Sequence, residues 1–116
     1  KERGGQWIKG KSVAGNCGPL LVTKDEINNI NDINLILDVN GERRQTGNTS
    51  RMIFNFNFLI SHISQFMVLY PGTIITTGTP AGTAMEMKEP KFLSEKDKIH
   101  IKIDHLGEQN HIVVGE

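Results

Sequence analysis

The sequence has 116 residues, and its 13 Lys and Arg balance 13 Asp and Glu, so the formal net charge at pH 7 is zero. This length suits one domain, and the charge balance argues against a nucleic-acid-binding protein, which normally carries a basic face. The single cysteine, Cys17, cannot form an internal disulfide, so nothing supports an oxidising compartment. Polar residues interrupt the stretch 54–70, which excludes a membrane span. We therefore expect a cytoplasmic globular domain with no nucleic-acid or membrane partner.

The first third of the chain predicts a loop followed by a hairpin. Residues 1–19 are rich in glycine and polar side chains, and Leu20–Thr23 is a short β-prone run. Residues 35–39 then alternate in polarity as a strand does. Asn40-Gly41 follows directly and supplies the two positive φ values of a type I′ turn. The second strand of the predicted hairpin is Glu42–Thr46.

Apolar residues recur at helical spacing after the hairpin. An asparagine at position 55 or 57 can cap the start of this helix, and Pro71-Gly72 stops it. We expect the stripe to pack into the core rather than to form a binding groove. Its members are Phe56, Leu59, Ile60, Ile63, Phe66, Met67 and Tyr70.

The last third predicts further strands. Residues 73–77 are β-branched throughout, which favours a strand, and residues 78–82 have the composition of a sharp loop. Isoleucines alternate with polar residues over 99–103, and a turn at Leu106-Gly107 leads to a last strand over 111–114. The sum is five or six short strands and one good helix. The predicted fold is mainly β with one amphipathic helix packed against the strands.

Residues 5–12 match the expression for a phosphate-binding loop, with two glycines bracketing four residues before Lys11 and Ser12. That chemistry needs a buried strand before the loop and a helix after it. Residues 1–3 are too polar for such a strand, and the glycines and proline of 14–19 cannot continue a helix. Nucleotide binding is therefore disfavoured, although ATP-dependent stabilisation would revive it.

Metal-binding and nucleophilic residues do not form a recognisable pattern. The four histidines do not have His-x₃-His spacing, and a single cysteine cannot form a Cys-x₂-Cys pair. His100 is expected on the solvent side of its strand and His62 off the helix stripe, and Cys17 has no basic partner nearby in sequence. A complete metal site or catalytic triad cannot be assembled from this chain alone.

Two loops hold the remaining candidates. Lys11, between glycines and polar residues, is on local grounds a solvated loop charge. Thr79 lies between Gly78 and Gly82 at the end of a predicted strand, where backbone amides and a hydroxyl can face a carboxylate. A tight structural turn would explain the same composition equally well, so both interpretations stay open.

An ordered series of short motifs resembles the C-terminal part of the fumarylacetoacetate hydrolase family. The resemblance is strongest to the branch with 2-hydroxyhepta-2,4-diene-1,7-dioate isomerases, and it covers essentially all of residues 1–116. The motifs are Gly4-Gly5-Gln6-Trp7, Gly10-Lys11-Ser12, Gly18-Pro19, Leu21-Val22-Thr23, Val39-Asn40-Gly41-Glu42 with Gln45, Thr49 to Phe54, Leu59-Ile60, Ser64, Pro71-Gly72, Gly78-Thr79-Pro80-Ala81-Gly82, Phe92-Leu93 and Leu106-Gly107.

The resemblance implies a mixed β-sandwich roll, of which this chain would be the C-terminal portion, and a homodimer. It also implies Mg²⁺ or Mn²⁺ held by a Glu-x-Glu pair and an Asp upstream of this chain, so that none of the three ligands is present here. Lys11 matches the active-site lysine of the family. Thr79 matches the threonine that holds the substrate carboxylate, with Gly78 beside it.

Several positions depart from the family pattern. Ala14 and Gly15 replace Asp and Thr, and the passage Cys17-Gly18-Pro19 is two residues shorter than usual. Lys96 stands where a glycine commonly precedes Asp97, and Thr73 replaces the aspartate of Pro-Gly-Asp. We expect the last change to cost only a turn hydrogen bond, whereas the shortened passage and the change at Lys96 imply an altered pocket rim or missing residues.

The resemblance implies an enzyme acting on 2-oxo or β-diketo acids through an enolate. A divalent ion would stabilise that enolate, and the Lys11 ammonium would add positive charge near it. Hydrolysis, decarboxylation and keto–enol isomerisation share this intermediate, so the reaction type stays open. The alternative is a catalytically incomplete fragment that serves as a structural or dimerisation module.

Overall fold

A computed structural model describes residues 17–115. Their four strands form one antiparallel sheet in the order β2-β1-β3-β4. The predicted fold class, mainly β with one α-helix, is confirmed for these residues. The strands are β1 Asn34–Val39, β2 Glu42–Asn48, β3 Lys98–Ile103 and β4 Gly107–Ile112, the helix is α1 Phe56–Ser64, and short 3₁₀ helices are Lys24–Glu26, Thr49–Arg51 and Ala84–Glu86.

The predicted hairpin is confirmed, and its turn also contacts a third strand. Asn40 and Gly41 have φ values of 53° and 80°, the two positive values that the type I′ turn requires. The Asn40 backbone N–H donates to the Lys98 carbonyl, and its side-chain Oδ1 accepts from the Lys98 N–H, both at 2.8 Å. Its Nδ2 also donates to Asp97 Oδ1 at 2.8 Å. Asn40 thus joins the tip of the hairpin to the start of β3.

The sheet has an apolar face and a polar face, as the alternation of the strands predicts. Leu35, Leu37 and Val39 of β1 pair across to three isoleucines of β3, at positions 103, 101 and 99. Val39 and Ile33, just before β1, are the buried hydrophobic residues of the described region, at 8% and 3% exposure. The sheet therefore supplies the centre of a small core, with its apolar face directed at the loops described below.

A row of four polar side chains crosses the polar face. Arg43 of β2 binds Asp38 of β1, whose Oδ2 lies 3.4 Å from His100 Nδ1 on β3. His100 Nε2 lies 3.4 Å from Glu108 Oε2 on β4. The hydrogen bond from Arg43, followed by the contact with His100, lowers the pKa of Asp38. His100 is on the expected face but is half-buried between carboxylates rather than a plain solvent-side residue.

Helix α1 begins as predicted but is shorter and more exposed. Asn55 caps it, since its Oδ1 accepts from the Phe58 N–H at 2.9 Å. The helix ends at Ser64 rather than near Tyr70, and none of its residues is buried. The expectation that the stripe packs into the core is wrong for this chain, because Phe66 and Tyr70 remain 76% and 70% exposed. His62 is exposed as expected.

Two predicted strands are absent from the described part of the chain. Residues 73–77 and Leu20–Thr23 pair with no strand there, although both are rich in β-prone residues. A β-branched run fits a pleated surface but cannot supply the neighbouring strand that makes it a ladder. The last strand also lies earlier than predicted, at Gly107–Ile112 instead of 111–114.

Candidate functional site

The loop 78–82 lies against strand β2 through the side chain of Gln45. Gln45 Nε2 donates to Thr79 Oγ1 at 3.0 Å and to the Pro80 carbonyl at 2.8 Å. Gln45 is half-buried and pairs with Leu37 in the ladder, so it points to the apolar face of the sheet. This contact fixes both the position and the hydrogen bonding of the Thr79 hydroxyl.

A β-bulge brings the far end of the loop onto the same strand. Leu37 pairs with Gln45 but Asp38 pairs with Arg43, which leaves Arg44 as the extra residue of β2. Gly82, with φ +104°, approaches the Arg44 carbonyl so closely that a Cβ there would lie 2.0 Å from the oxygen. Gly82 is therefore required by both its backbone conformation and its surroundings.

Glu86 stabilises the segment that follows the loop. Its Oε2 accepts from the backbone N–H groups of Gly82 and Thr83, at 2.8 Å and 3.0 Å. These two hydrogen bonds to the charged form lower the pKa of the Glu86 carboxyl. The carboxylate thus satisfies donors that would otherwise be left open at the start of the 3₁₀ helix Ala84–Glu86.

A cleft of about 610 Å³ opens between the loop, the end of β2 and the start of α1. Gly47 forms part of its wall and is buried, and a Cβ there would come within 3.1 Å of the Leu35 and Pro80 side chains. Polar groups and apolar side chains both line the cleft, a mixture typical of sites for small molecules. The polar members are Thr46, Asn48, Thr49, Arg51, Thr77 and Thr79, and the apolar ones include Leu35, Met52, Ile53, Phe54 and Leu59.

Two of the three predicted site residues lie in the described part of the chain. Thr79 and Gly78 both line the cleft, and both are exposed residues. Gly78 has φ +93° and open space around its Cα. Lys11 lies outside the described residues, so the expected approach of its ammonium to Thr79 remains a prediction. Cys17 is an exposed free thiol.

Sequence reasoning missed the partner of Thr79. Gln45 belongs to the motif Asn-Gly-x-x-x-Gln, so its presence was visible, but its contact with a loop 34 residues later was not. No signal in the sequence points to this contact, because β2 is almost entirely polar and its alternation does not assign a face. An unbroken hairpin around Asn40-Gly41 would pair Gln45 with Ile36, and only the bulge at Arg44 moves Gln45 opposite Leu37, to the apolar face.

The residues that the structure describes do not supply a metal site. Among 17–115, no group of three His, Cys, Asp or Glu side chains could hold an ion. This part of the chain therefore does not fit the divalent ion that the resemblance implies. Over the same range, no helix has the length and apolar character needed to cross a membrane.

Known proteins with the same sequence pattern and fold identify the family. The chain is 46% identical over 117 aligned residues to a 2,4-didehydro-3-deoxy-L-rhamnonate hydrolase of a Sphingomonas species, a match covering 97% of this chain and 41% of that protein. The solved structure of a fumarylacetoacetate hydrolase from Exiguobacterium antarcticum superposes with a TM-score of 0.81 at 35% identity, over 85% of this chain and 35% of that one.

A maleylpyruvate hydrolase from Sphingobium, solved in complex with manganese(II) and pyruvate, superposes with a TM-score of 0.75 at 35% identity. The match covers 84% of this chain and 34% of that one. The chain thus spans well under half the length of these relatives. The family model for the fumarylacetoacetate (FAA) hydrolase C-terminal region matches residues 1–114. The chain therefore belongs to the fumarylacetoacetate hydrolase family, as part of its C-terminal region.

Proposed function

We propose that the protein containing this chain is a hydrolase or isomerase of 2-oxo or β-diketo acids that works through an enolate. The observation that carries the proposal is Thr79, an exposed residue that lines the cleft and whose hydroxyl is hydrogen-bonded to the side-chain amide of Gln45 in β2. Relatives with hydrolase names support it, including the manganese and pyruvate complex of the maleylpyruvate hydrolase. We also propose that the protein is a homodimer, as the resemblance implies.

In this proposal, Thr79 and Gly78 hold a carboxylate of the substrate. A carboxylate only accepts hydrogen bonds, so it needs donors such as a hydroxyl and backbone N–H groups. Gly78 has no side chain to obstruct the approach of the ligand. Each good hydrogen bond to a charged group contributes about 1.5–3 kcal/mol. The loop thereby orients the acid so that its reacting carbon faces the rest of the site.

The Lys11 ammonium is proposed to stabilise the enolate. In a hydrolytic reaction, water adds to the carbonyl beyond the scissile C–C bond. The bond then breaks, its electron pair becomes the enolate of a 2-oxo acid, and the enolate carbon takes up a proton. A fixed positive charge near the enolate oxygen lowers the barrier, because it is oriented before the charge develops. Decarboxylation and isomerisation would use the same charge.

The proposed cofactor is Mg²⁺ or Mn²⁺. Such an ion polarises carbonyl oxygens and stabilises anionic intermediates when it is bound. Since residues 17–115 bring no suitable donor set together, its ligands would lie elsewhere in the protein. The roles that we assign therefore concern Lys11, Gly78 and Thr79 alone.

Lys11→Met tests the proposed reaction in the whole protein, with acetylpyruvate and oxaloacetate as substrates and Mn²⁺ present. We expect turnover to fall by about 10²–10³-fold, the usual loss when a preorganised electrostatic group is removed. The melting temperature should stay nearly unchanged. Lys88→Met, at an exposed lysine outside the cleft, is the matched control. Turnover of the Lys11 variant at the wild-type rate would remove Lys11 from the mechanism.

A second candidate is a structural or dimerisation module without catalysis. The exposed apolar residues of α1 favour it, because a large apolar surface commonly marks an interface. The two proposals differ in their response to metal. An enzyme should be stabilised by Mn²⁺ and should consume one of the two acids, whereas a module should do neither and should pair without metal.

A further inference from the structure

We propose that Gln45 is a positioning residue that makes the Thr79 hydroxyl a hydrogen-bond donor to the substrate. This inference rests on the proposed role of Thr79. It assigns a task to a residue of the Asn-Gly-x-x-x-Gln motif that forms no part of the cleft lining. The task is to occupy the acceptor side of the Thr79 oxygen, so that the hydroxyl proton is directed to an outside acceptor.

The hydrogen bonding of the Gln45 amide is fixed by its neighbours. The Pro80 carbonyl oxygen can only accept, and it lies 2.8 Å from the Gln45 side chain, so the amide nitrogen must face it. The same NH₂ group has a second proton, and Thr79 Oγ1 lies 3.0 Å away. The opposite orientation of the amide would place two oxygens together. Thr79 Oγ1 therefore accepts from Gln45.

A hydroxyl that accepts one hydrogen bond retains its own proton for another partner. Within the loop, the nearest acceptor of that proton is the Pro80 carbonyl at 3.4 Å, which already accepts the shorter bond from Gln45. A carboxylate oxygen in the cleft is a stronger acceptor, because charge-assisted hydrogen bonds are shorter and stronger. Gln45 thus prepares Thr79 to donate to an anion.

The backbone holds Gln45 and Thr79 at this distance. The bulge at Arg44 changes the register of β2 directly beside Gln45. Gly82 lies against the Arg44 carbonyl and Gly47 lies against Pro80, so the loop is seated on both sides of the amide. The contact therefore has little freedom to rearrange when a ligand binds. A rigid support of this kind is what a positioning residue requires.

A double-mutant cycle in the whole protein tests the proposal, with pyruvate and Mn²⁺ as the binding probe. Thr79→Val should raise the Kd for pyruvate by about 10-fold or more, as the loss of one hydrogen bond to a charged group predicts. Gln45→Met should raise the Kd for pyruvate by about 3- to 10-fold. With acetylpyruvate as the substrate, it should raise KM more than it lowers kcat. In the Thr79→Val background, Gln45→Met should have almost no further effect.

Gln109→Met is the matched control. Gln109 lies in the same cross-strand row as Gln45, through Leu37 and Ile101, but on the opposite edge strand. Its amide oxygen contacts His111 and not the loop. This variant should bind pyruvate as the wild type does. Gln45→Glu gives a second variant of the same shape, and it should weaken binding more than Gln45→Met, because a carboxylate accepts the hydroxyl proton and repels the anion.

The outcomes separate this inference from the proposed function. If Thr79→Val leaves pyruvate binding unchanged, the proposed role of Thr79 fails, and the inference fails with it. If Thr79→Val weakens binding but Gln45→Met does not, only the inference is overturned. Equal effects of Gln45→Met in the two backgrounds also overturn it, because Gln45 would then act independently of Thr79. A loss that appears only with wild-type Thr79 supports it.

Discussion

Gly82→Ala is the substitution that the loop should tolerate least. The new Cβ would lie 2.0 Å from the Arg44 carbonyl oxygen and 3.1 Å from its carbon, and both atoms belong to the backbone of β2. Neither can rotate away as the end of a flexible side chain could. Gly82 also has φ +104°, a conformation that L-residues rarely adopt. The change therefore combines backbone strain with a steric clash.

The expected cost is the sum of these two effects. A positive φ costs a residue other than glycine about 1–2 kcal/mol. Forcing an extra carbon into a packed position costs typically about 1–3 kcal/mol more. We therefore expect the free energy of unfolding of the whole protein to fall by about 2–5 kcal/mol. If the loop moves to relieve the clash, the Thr79–Gln45 hydrogen bond will be lost and pyruvate binding will weaken as well.

Gly72→Ala provides the control that separates strain from clash. Gly72 has a similar φ, +87°, but nothing lies within 4 Å of an added Cβ. Gly72→Ala should lower the free energy of unfolding only by the cost of the backbone strain, about 1–2 kcal/mol. Urea denaturation of both variants, followed by circular dichroism, measures the difference. Equal losses of stability would refute the close approach of Gly82 to β2 on which the description of the loop depends.

Two further predictions concern the segment before β3. Lys96 has φ +72°, a conformation that favours glycine, so Lys96→Gly should raise the free energy of unfolding by up to about 1 kcal/mol and with it the melting temperature. An unchanged or lower melting temperature would contradict the strain. Hydrogen bonds from the Ser94 N–H and then Asn40 lower the pKa of Asp97 below its ordinary value of 3.8. Because the pKa of Asp97 is lower in the folded state than in the unfolded state, its carboxylate stabilises the fold at pH values above 3.8. This stabilisation is lost as the pH falls through the folded-state pKa. Asp97→Asn should thus be less stable than the wild type at neutral pH, and denaturation midpoints measured against pH should converge below 3.8; a constant gap would contradict this origin.

The parts of the fold that depend only on residues adjacent in the sequence could be predicted. Asn40-Gly41 determines its own turn, and Asn55 caps its own helix. The run 73–77 could not be judged in this way, because a strand exists only when another strand pairs with it. The Gln45–Thr79 hydrogen bond joins residues 34 positions apart, and periodicity carries no information on such a contact. Composition alone therefore could not distinguish a ligand-binding loop from a structural turn at residues 78–82.

A row of aromatic rings lies along the exposed side of α1. Phe54 and Phe58 stack with ring centroids 4.6 Å apart, and His62 and Phe66 continue the series along the exposed side of the helix. Burying one large aromatic side chain contributes about 1.5–3 kcal/mol, so leaving this row in water forgoes much of what a helix normally gains by packing. The relatives are more than twice as long as this chain, and additional sequence of that size could cover such a surface. The loop of Thr79 differs, because it makes hydrogen bonds and a close backbone contact with β2. The position of Thr79 is thus set by contacts within the described residues, whereas α1 has no comparable burial there.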